Sequence, residues 1–204
     1  MHPTGAFRSI RTLILASGSP RRKDLLGSTG ITFEIVPSSV LEPDPDQGET
    51  PGGYALRLAR MKARDVASRY RGAFVLGCDT VVAVGEAILN KPRDAADARR
   101  MLALLSGRDH TVVTACHLAG DTGETAWDAA VATTVTMTDL TDAAIAAYVA
   151  TGEPMDKAGS YAIQGLGGFM VAGISGSYTN VVGLPLAETV QALTSLGVIG
   201  VRKV

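Results

Sequence analysis

The sequence predicts an α/β fold, a mixed sheet flanked by helices, on three observations. Apolar, β-prone runs alternate with helical patterns along the chain, the order expected of layered α/β proteins. Hairpin signals at Gly85-Glu86 and Gly120–Glu124 fall between strand-like runs, which makes the sheet mixed rather than purely parallel. The length, 204 residues, suits one domain with a substantial core, here taken as 1–204 with residues 1–11 a loose N-terminal extension.

Thr12–Ala16 is a short apolar run ending in Ser17-Gly18-Ser19-Pro20, a strand followed by a turn. Ser19 and Pro20 fit the N-cap and first position of a helix that runs to about Ser28 and is stopped by Gly30. Ile31–Pro37 reads as a second strand. Leu41–Pro51 holds three prolines and four acidic residues and is a loop. Tyr54–Tyr70 is helical, rich in Arg, Lys and Ala. Ala73–Val84 is an apolar strand interrupted by Gly77-Cys78-Asp79-Thr80, and the Gly85-Glu86 turn leads to Ile88-Leu89.

Asp94 caps a helix over Ala95–Leu105, with Ala98, Met101, Leu102 and Leu105 on one face. His110–Leu118 and Ala126–Met137 are strand-like on either side of the second hairpin. Thr141 caps a helix that ends at Gly152. Gly159–Gly183 holds seven glycines among apolar and β-branched residues and reads as strands joined by close-fitting loops. A last helix spans about Pro185–Leu196.

Composition excludes several classes. Nineteen Lys plus Arg against twenty Asp plus Glu leave a net charge of −1, without the positive excess of a nucleic-acid binder. Two cysteines, Cys78 and Cys116, are too few for a disulfide framework and suit a reducing compartment. The opening residues show no charged start followed by an apolar run, so no secretory leader is expected. No apolar stretch approaches the roughly 20 residues of a membrane span. The expected location is the cytoplasm.

The informative residues are those at odds with local physics. Arg21 and Arg22 occupy the first turn of the first helix, where the helix dipole disfavours cations by roughly 0.3–1 kcal/mol each. That placement suits an anion bound at the helix N-terminus, or else a solvated basic turn. Lys62 falls on the same side of its helix as Ala55, Leu58, Ala59 and Val66, while Arg57, Arg60 and Arg64 form the opposite, solvated stripe. It is either a snorkelling lysine or a site lysine aimed at phosphate or carboxylate.

Asp79 follows an apolar strand, where a carboxylate costs several kcal/mol unless paired or metal-bound. Strand ends of open sheets are where ligands bind. Glu42 opens the acidic loop and by itself reads as solvated; Lys91 precedes a helix and by itself is ambiguous. Taken together they form a set of two carboxylates for a hard divalent cation and several cations for phosphate. Nucleophile chemistry has little support. His2 lies near the N-terminus, His110 and His117 lie in a strand, no Cys-x-x-Cys or Gly-x-Ser-x-Gly is present, and no P-loop occurs.

Leu15–Arg22 (LASGSPRR), Gly77–Thr80 (GCDT), Lys91-Pro92, Ser106–Thr114 (SGRDHTVVT), Glu153–Gly159 (EPMDKAG), Ile163-Gln164-Gly165 and Gly176–Pro185 (GSYTNVVGLP) resemble, in order, the motifs of the Maf family. The match runs from about Leu13 to about Leu196. These are nucleoside triphosphate pyrophosphatases related in fold to the inosine triphosphate pyrophosphatases. The resemblance implies an elongated mixed sheet flanked by helices, in two lobes with a central cleft. It also implies hydrolysis between the α- and β-phosphates, yielding a nucleoside monophosphate and pyrophosphate. By motif position Asp79 matches the catalytic aspartate, and Glu42, Lys62 and Lys91 its charged partners. Ser17, Ser19, Arg21 and Arg22 match the substrate-binding first loop.

The resemblance further implies Mg²⁺ or Mn²⁺ held by Asp79 and Glu42, a nucleoside triphosphate substrate, and a homodimer, with no nucleic-acid or membrane partner. One Maf subgroup prefers dTTP and UTP and carries Arg-Arg, Asp-Thr and Ile-Gln-Gly, which Arg21, Thr80 and Gln164 match. A second subgroup acts on 7-methyl-GTP and carries Trp-Arg, Asp-Gln and a Glu there. An amide such as Gln164 both donates and accepts, which suits a uracil or thymine edge. Cys78 stands where the family commonly has Ala or Ser, and little effect is expected from that change. The alternatives are the 7-methyl-GTP specificity and a nucleotide-binding regulator of septum formation.

Overall fold

A computed structural model describes residues 5–203. Nine strands and six α-helices follow one another in chain order: β1 (Phe7–Ser9), β2 (Leu13–Leu15), α1 (Pro20–Gly27), β3 (Glu34–Ile35), α2 (Pro51–Ala67), β4 (Phe74–Val84), β5 (Ala87–Leu89), α3 (Ala95–Leu105), β6 (Asp109–Ala119), β7 (Thr125–Met137), α4 (Asp142–Ala150), β8 (Val171–Ser175), α5 (Tyr178–Val182), α6 (Leu186–Ser195) and β9 (Ile199–Val201). Short 3-10 turns occupy Glu153–Asp156, Ala158–Ser160 and Leu166–Met170.

Seven strands form a mixed sheet in the order β3-β2-β4-β6-β7-β8, with β5 pairing on β4. β2 runs parallel to both β3 and β4, with Leu13 opposite Phe74 and Leu15 opposite Leu76. β5 is antiparallel to β4, with Val82 opposite Leu89, and β8 is antiparallel to β7. The chain divides into two compact units. The first takes the chain up to Asp79, Thr114–Val131 and the chain from Gly183; the second takes Thr80–Val113 and Ala132–Val182.

In the first unit the two faces of the sheet bury different sets, because successive side chains along a strand point opposite ways. Leu13, Leu15, Leu76, Cys78, Cys116 and Leu118 pack on one face with Leu26 of α1 and Leu193 of α6. Ile14, Ala16, Val75 and Ala119 pack on the other with Ala63 and Val66 of α2. The second unit has its own core, in which Leu102 and Leu105 of α3 and Ile145 and Tyr148 of α4 meet Val82, Val112 and Val135 of the sheet.

The helices follow their caps. Thr50, Asp94 and Thr141 each accept a backbone N–H three residues on, and each helix starts at the next residue. The Leu41–Pro51 region is loop, as its prolines predict, apart from Pro51 itself, which starts α2. Several expectations differ from the structure. The Ile31–Pro37 strand shrinks to Glu34–Ile35. Gly159–Gly183 holds one strand, 3-10 turns and the short α5 rather than several strands, because its glycines stand mostly at turn conformations that no ladder accommodates. Residues 7–9 of the expected loose extension form β1, paired antiparallel with β9, a strand the sequence pattern did not suggest. His2 lies outside the described residues.

Candidate active site

In the first unit, β4 and α2 approach unusually closely, and small residues allow it. A Cβ placed on Gly77 would lie 2.4 Å from the Ala59 carbonyl oxygen and 2.8 Å from Ala63. Only glycine lets the helix backbone come that near the strand. Asp79 lies two residues beyond Gly77, on the same face of β4, and Lys62 precedes Ala63 on α2. The approach therefore delivers Lys62 Nζ to 2.5 Å from Asp79 Oδ1. The same ammonium lies 2.7 Å from Glu42 Oε1. Three of the expected site residues, from a strand, a helix and a loop, meet at one nitrogen.

Asp79 is 6% exposed and the Lys62 side chain 13%, while the Glu42 side chain, at 38%, opens the cluster to solvent. Burial pushes the Asp79 carboxyl above the ordinary aspartate range, against the lowering pull of Lys62 and Arg22. A carboxylate so placed is a better base than a solvated one.

The loop that carries Glu42 is braced onto α2. Arg57 donates Nε to Glu49 Oε1 at 2.9 Å and Nη2 to Glu49 Oε2 at 2.6 Å, and Nη2 also reaches the Asp44 carbonyl at 3.1 Å. The Tyr54 hydroxyl donates to the Pro43 carbonyl at 2.9 Å. Arg57 is thus not part of a solvated stripe but a fork that fixes the acidic loop. Arg60 departs from that expectation too: it pairs with Asp128 at 2.6 Å, and Asp128 also meets His117 Nδ1 at 2.6 Å. Arg64 is exposed as expected.

The first loop is also preorganised. Arg22 donates Nε to the Gly183 carbonyl at 2.7 Å and Nη1 to Ser17 Oγ at 3.2 Å. The Ser19 backbone N–H donates to the same Ser17 oxygen at 3.2 Å, and the Ser19 side chain makes no cap on α1. The first turn of α1 holds no acidic residue, so its positive end has no protein carboxylate of its own. Arg21 is half-buried there. The Gly183 carbonyl gives the Gly176–Pro185 motif a role that its residue types did not disclose.

Cys78 points to the opposite face of β4 from Asp79, buried with its sulfur 3.1 Å from that of Cys116, both thiols being free. It behaves as a small core residue.

The remaining expected site residues belong to the second unit. Thr80 is half-buried on β4, Lys91 is exposed between β5 and α3, and Gln164 is exposed in the turn segment before Leu166–Met170. Asn180 of α5 is fully buried and donates to the Val112 carbonyl at 3.1 Å and to Thr133 Oγ1 at 3.0 Å.

Among the described residues no cluster of three or more His, Cys, Asp or Glu side chains could hold a metal ion. Asp79 and Glu42 supply two hard oxygen donors converging on one cation, the ammonium of Lys62. That donor set fits Mg²⁺ or Mn²⁺ shared with substrate phosphates rather than a cation caged by protein alone.

Relatives bearing the name dTTP/UTP pyrophosphatase match most of this chain. That of Nitratidesulfovibrio vulgaris is 48% identical, over 96% of this chain and 93% of its own. Those of Syntrophotalea carbinolica and Myxococcus xanthus are 50% and 51% identical, over 92% and 91% of this chain and 86% and 92% of their own. A solved nucleoside-triphosphatase / dITP/XTP pyrophosphatase from Mycobacterium abscessus is similar at a TM-score of 0.41 and 18% identity, over 91% of this chain and 94% of that one. The family model described as Maf-like protein matches residues 12–196, a span holding every expected site residue, and the chain belongs to the Maf family.

Proposed function

We propose that this chain is a nucleoside triphosphate pyrophosphatase that hydrolyses dTTP and UTP to the monophosphate and pyrophosphate. The observation that carries the reading is the Glu42–Lys62–Asp79 cluster, a buried basic carboxylate held by an ammonium and opened to solvent on one side. The names of the relatives at about half identity supply the substrate pair.

Asp79 accepts the proton of the attacking water and aims it at the α-phosphorus. Lys62 holds Asp79 and Glu42 in one arrangement and offsets charge that grows on the phosphoryl oxygens. Arg22, tied to Gly183 and Ser17, meets phosphate without first losing side-chain freedom, while Arg21 and the α1 N-terminus add donors of the same sign. Asp79 and Glu42 would hold a divalent cation, which when bound would supply Lewis-acid neutralisation of the phosphates. Lys91, Thr80 and Gln164 enter by their motif positions: Lys91 as a further phosphate cation, Thr80 and Gln164 as determinants of the base. The same resemblance carries a cytoplasmic site of action and a homodimer, the latter testable by light scattering. No helix among the described residues is long and apolar enough to cross a membrane.

The test is pyrophosphate release with Mg²⁺ over dTTP, UTP, CTP, dATP, ITP and 7-methyl-GTP. Preferential cleavage of dTTP and UTP, abolished by EDTA and restored by Mg²⁺ or Mn²⁺, is expected. Cleavage of 7-methyl-GTP in their place overturns the base preference and keeps the chemistry. Tight binding without turnover overturns the enzymatic reading.

A further inference from the structure

Glu153, the first residue of the Glu153–Gly159 motif, makes an unusual set of contacts. Glu153 Oε1 accepts the Leu166 backbone N–H at 2.9 Å. Its Oε2 accepts the Gly167 backbone N–H at 2.9 Å and the Tyr148 hydroxyl at 2.8 Å. The Tyr148 hydroxyl in turn accepts the Ala162 backbone N–H at 3.3 Å. Tyr148 is buried in the core of the second unit, so this pair is anchored in the packed interior at one end and grips loop backbone at the other.

The grip brackets Gln164. Ala162 is tied on one side of it, Leu166 and Gly167 on the other, leaving Ile163-Gln164-Gly165 as the arch between the ties. Gly165 completes the arrangement. Its φ of 142° lies where side chains are strained, and a Cβ there would stand 2.3 Å from Glu153 Oε1. A carboxylate that accepts two consecutive backbone amides is a loop clamp of the charge-assisted kind. The clamp also keeps Glu153 ionised: burial raises its carboxyl, but the Leu166, Tyr148 and Gly167 donors bring it below the ordinary glutamate range.

We propose that Glu153 is the positioning residue of the base-reading loop, holding Gln164 at the height and angle from which it reads a uracil or thymine edge. This rests on Gln164 reading the base, as proposed above. Glu153 itself touches no substrate. It acts through the backbone of residues 162–167, which removes the entropy the loop would otherwise lose when the base binds.

The test uses the full chain and the variants Glu153→Gln, Glu153→Ala, Gln164→Ala and the Glu153→Ala/Gln164→Ala pair, with KM and kcat measured separately for dTTP, UTP and dATP. Gln164→Ala and Glu153→Ala are each expected to raise KM for dTTP about tenfold, the loss of one well-placed hydrogen bond to a base. Values of kcat should stay within about threefold, because the phosphate-side chemistry is untouched. The double variant should be no worse than Gln164→Ala alone, since residues acting as one unit do not add. Glu153→Gln keeps one acceptor oxygen and should fall between wild type and Glu153→Ala. In Glu153→Ala, amide exchange over 163–167 should quicken while α4 and β7 keep their protection, a signature that general destabilisation does not give.

Additive losses, or an unchanged KM in Glu153→Ala, overturn the role of Glu153 and leave Gln164 as the base reader. An unchanged Gln164→Ala enzyme overturns the base-reading assignment, and this inference with it. Gly165→Ala reaches the loop from its own side and is expected to raise KM in the same way. A wild-type KM in folded Gly165→Ala overturns the clamp even where Glu153→Ala does not fold.

Discussion

Asp79 and Glu153 are both held carboxylates, and their surroundings push them in opposite directions. Asp79, at the end of the first unit, receives one ammonium and lies in the field of a guanidinium, yet burial wins and its pKa rises. Glu153, in the second unit, receives a tyrosine hydroxyl and two backbone amides, and these donors outweigh burial so that its pKa falls. The difference is one of saturation. A carboxylate whose oxygens are already filled by fixed donors has nothing left to offer a reacting water and serves as architecture. One held by a single flexible cation, with its basicity raised by burial, keeps the capacity to take a proton.

The largest test of that contrast removes the reactive member. Asp79→Ala is expected to lower kcat by about 10²–10⁴-fold, the usual worth of a positioned base, while far-UV circular dichroism stays that of the wild type. Retained turnover in the folded variant would sink the catalytic role. Glu153→Gln, by contrast, should move KM far more than kcat.

Next in size is the framework behind Asp79. Gly77→Val drives a side chain into the Ala59 carbonyl and Ala63, so α2 must move off β4. A stability loss of about 1–3 kcal/mol in urea unfolding is expected from such overpacking, together with loss of activity from the parted Lys62–Asp79 pair. Wild-type activity in Gly77→Val would show that the close approach is not what assembles the site.

A third test separates the units by acid. His110 of β6 is 3% exposed, hydrogen-bonds Tyr161 at 2.7 Å, and burial lowers its pKa from 6.5 to about 4. The folded chain therefore keeps His110 neutral while the unfolded chain takes up a proton below pH 6.5. Stability falls as pH drops from 6.5 towards 4, by about 3 kcal/mol at most from this one group. Thermal melts of wild type and His110→Phe over that window should diverge, the wild type falling more steeply. Parallel slopes would overturn the assignment.

The smallest effect concerns the brace on the acidic loop. Arg57→Ala unties Glu49 and Asp44 and frees the segment carrying Glu42. The loss in melting stability should be within about 1 kcal/mol, as for other surface ion pairs. Activity at limiting Mg²⁺ should fall more than activity at saturating Mg²⁺ if Glu42 is, as proposed, one of two metal donors. An equal fall at both concentrations would remove Glu42 from the metal site.

Much of the fold was legible because its signals are local. Asp94 and the spacing of Ala98, Met101, Leu102 and Leu105 define α3 from Ala95 to Leu105, since a cap and a 3.6-residue period act within a few residues of one another. Lys62 among Ala55, Leu58 and Ala59 was visible as a charge on an apolar face, and Asp79 as a charge within an apolar run, although β4 continues to Val84 and carries Asp79 in mid-strand rather than at the strand end the sequence suggested. Both stood out by breaking the rule that their own element sets. Gly159–Gly183 was misread for the same reason in reverse: its glycines carry no periodicity, and turns and strands look alike there.

The sequence alone thus determined the α/β class, the helices with clear caps, and the anomalous charges Arg21, Arg22, Lys62 and Asp79. Tertiary structure alone decided which of these meet and what holds them. Arg57 reads as a solvated stripe until Glu49 and the Asp44 carbonyl fold against it. Gly77 reads as an interruption until Ala59 and Ala63 press on it. Glu153 stands in the sequence only as the first residue of a motif until backbone amides thirteen and fourteen residues on close over it. Their partners are backbone atoms or residues of other elements. Backbone atoms carry no residue type, and a pattern of residue types cannot point to them.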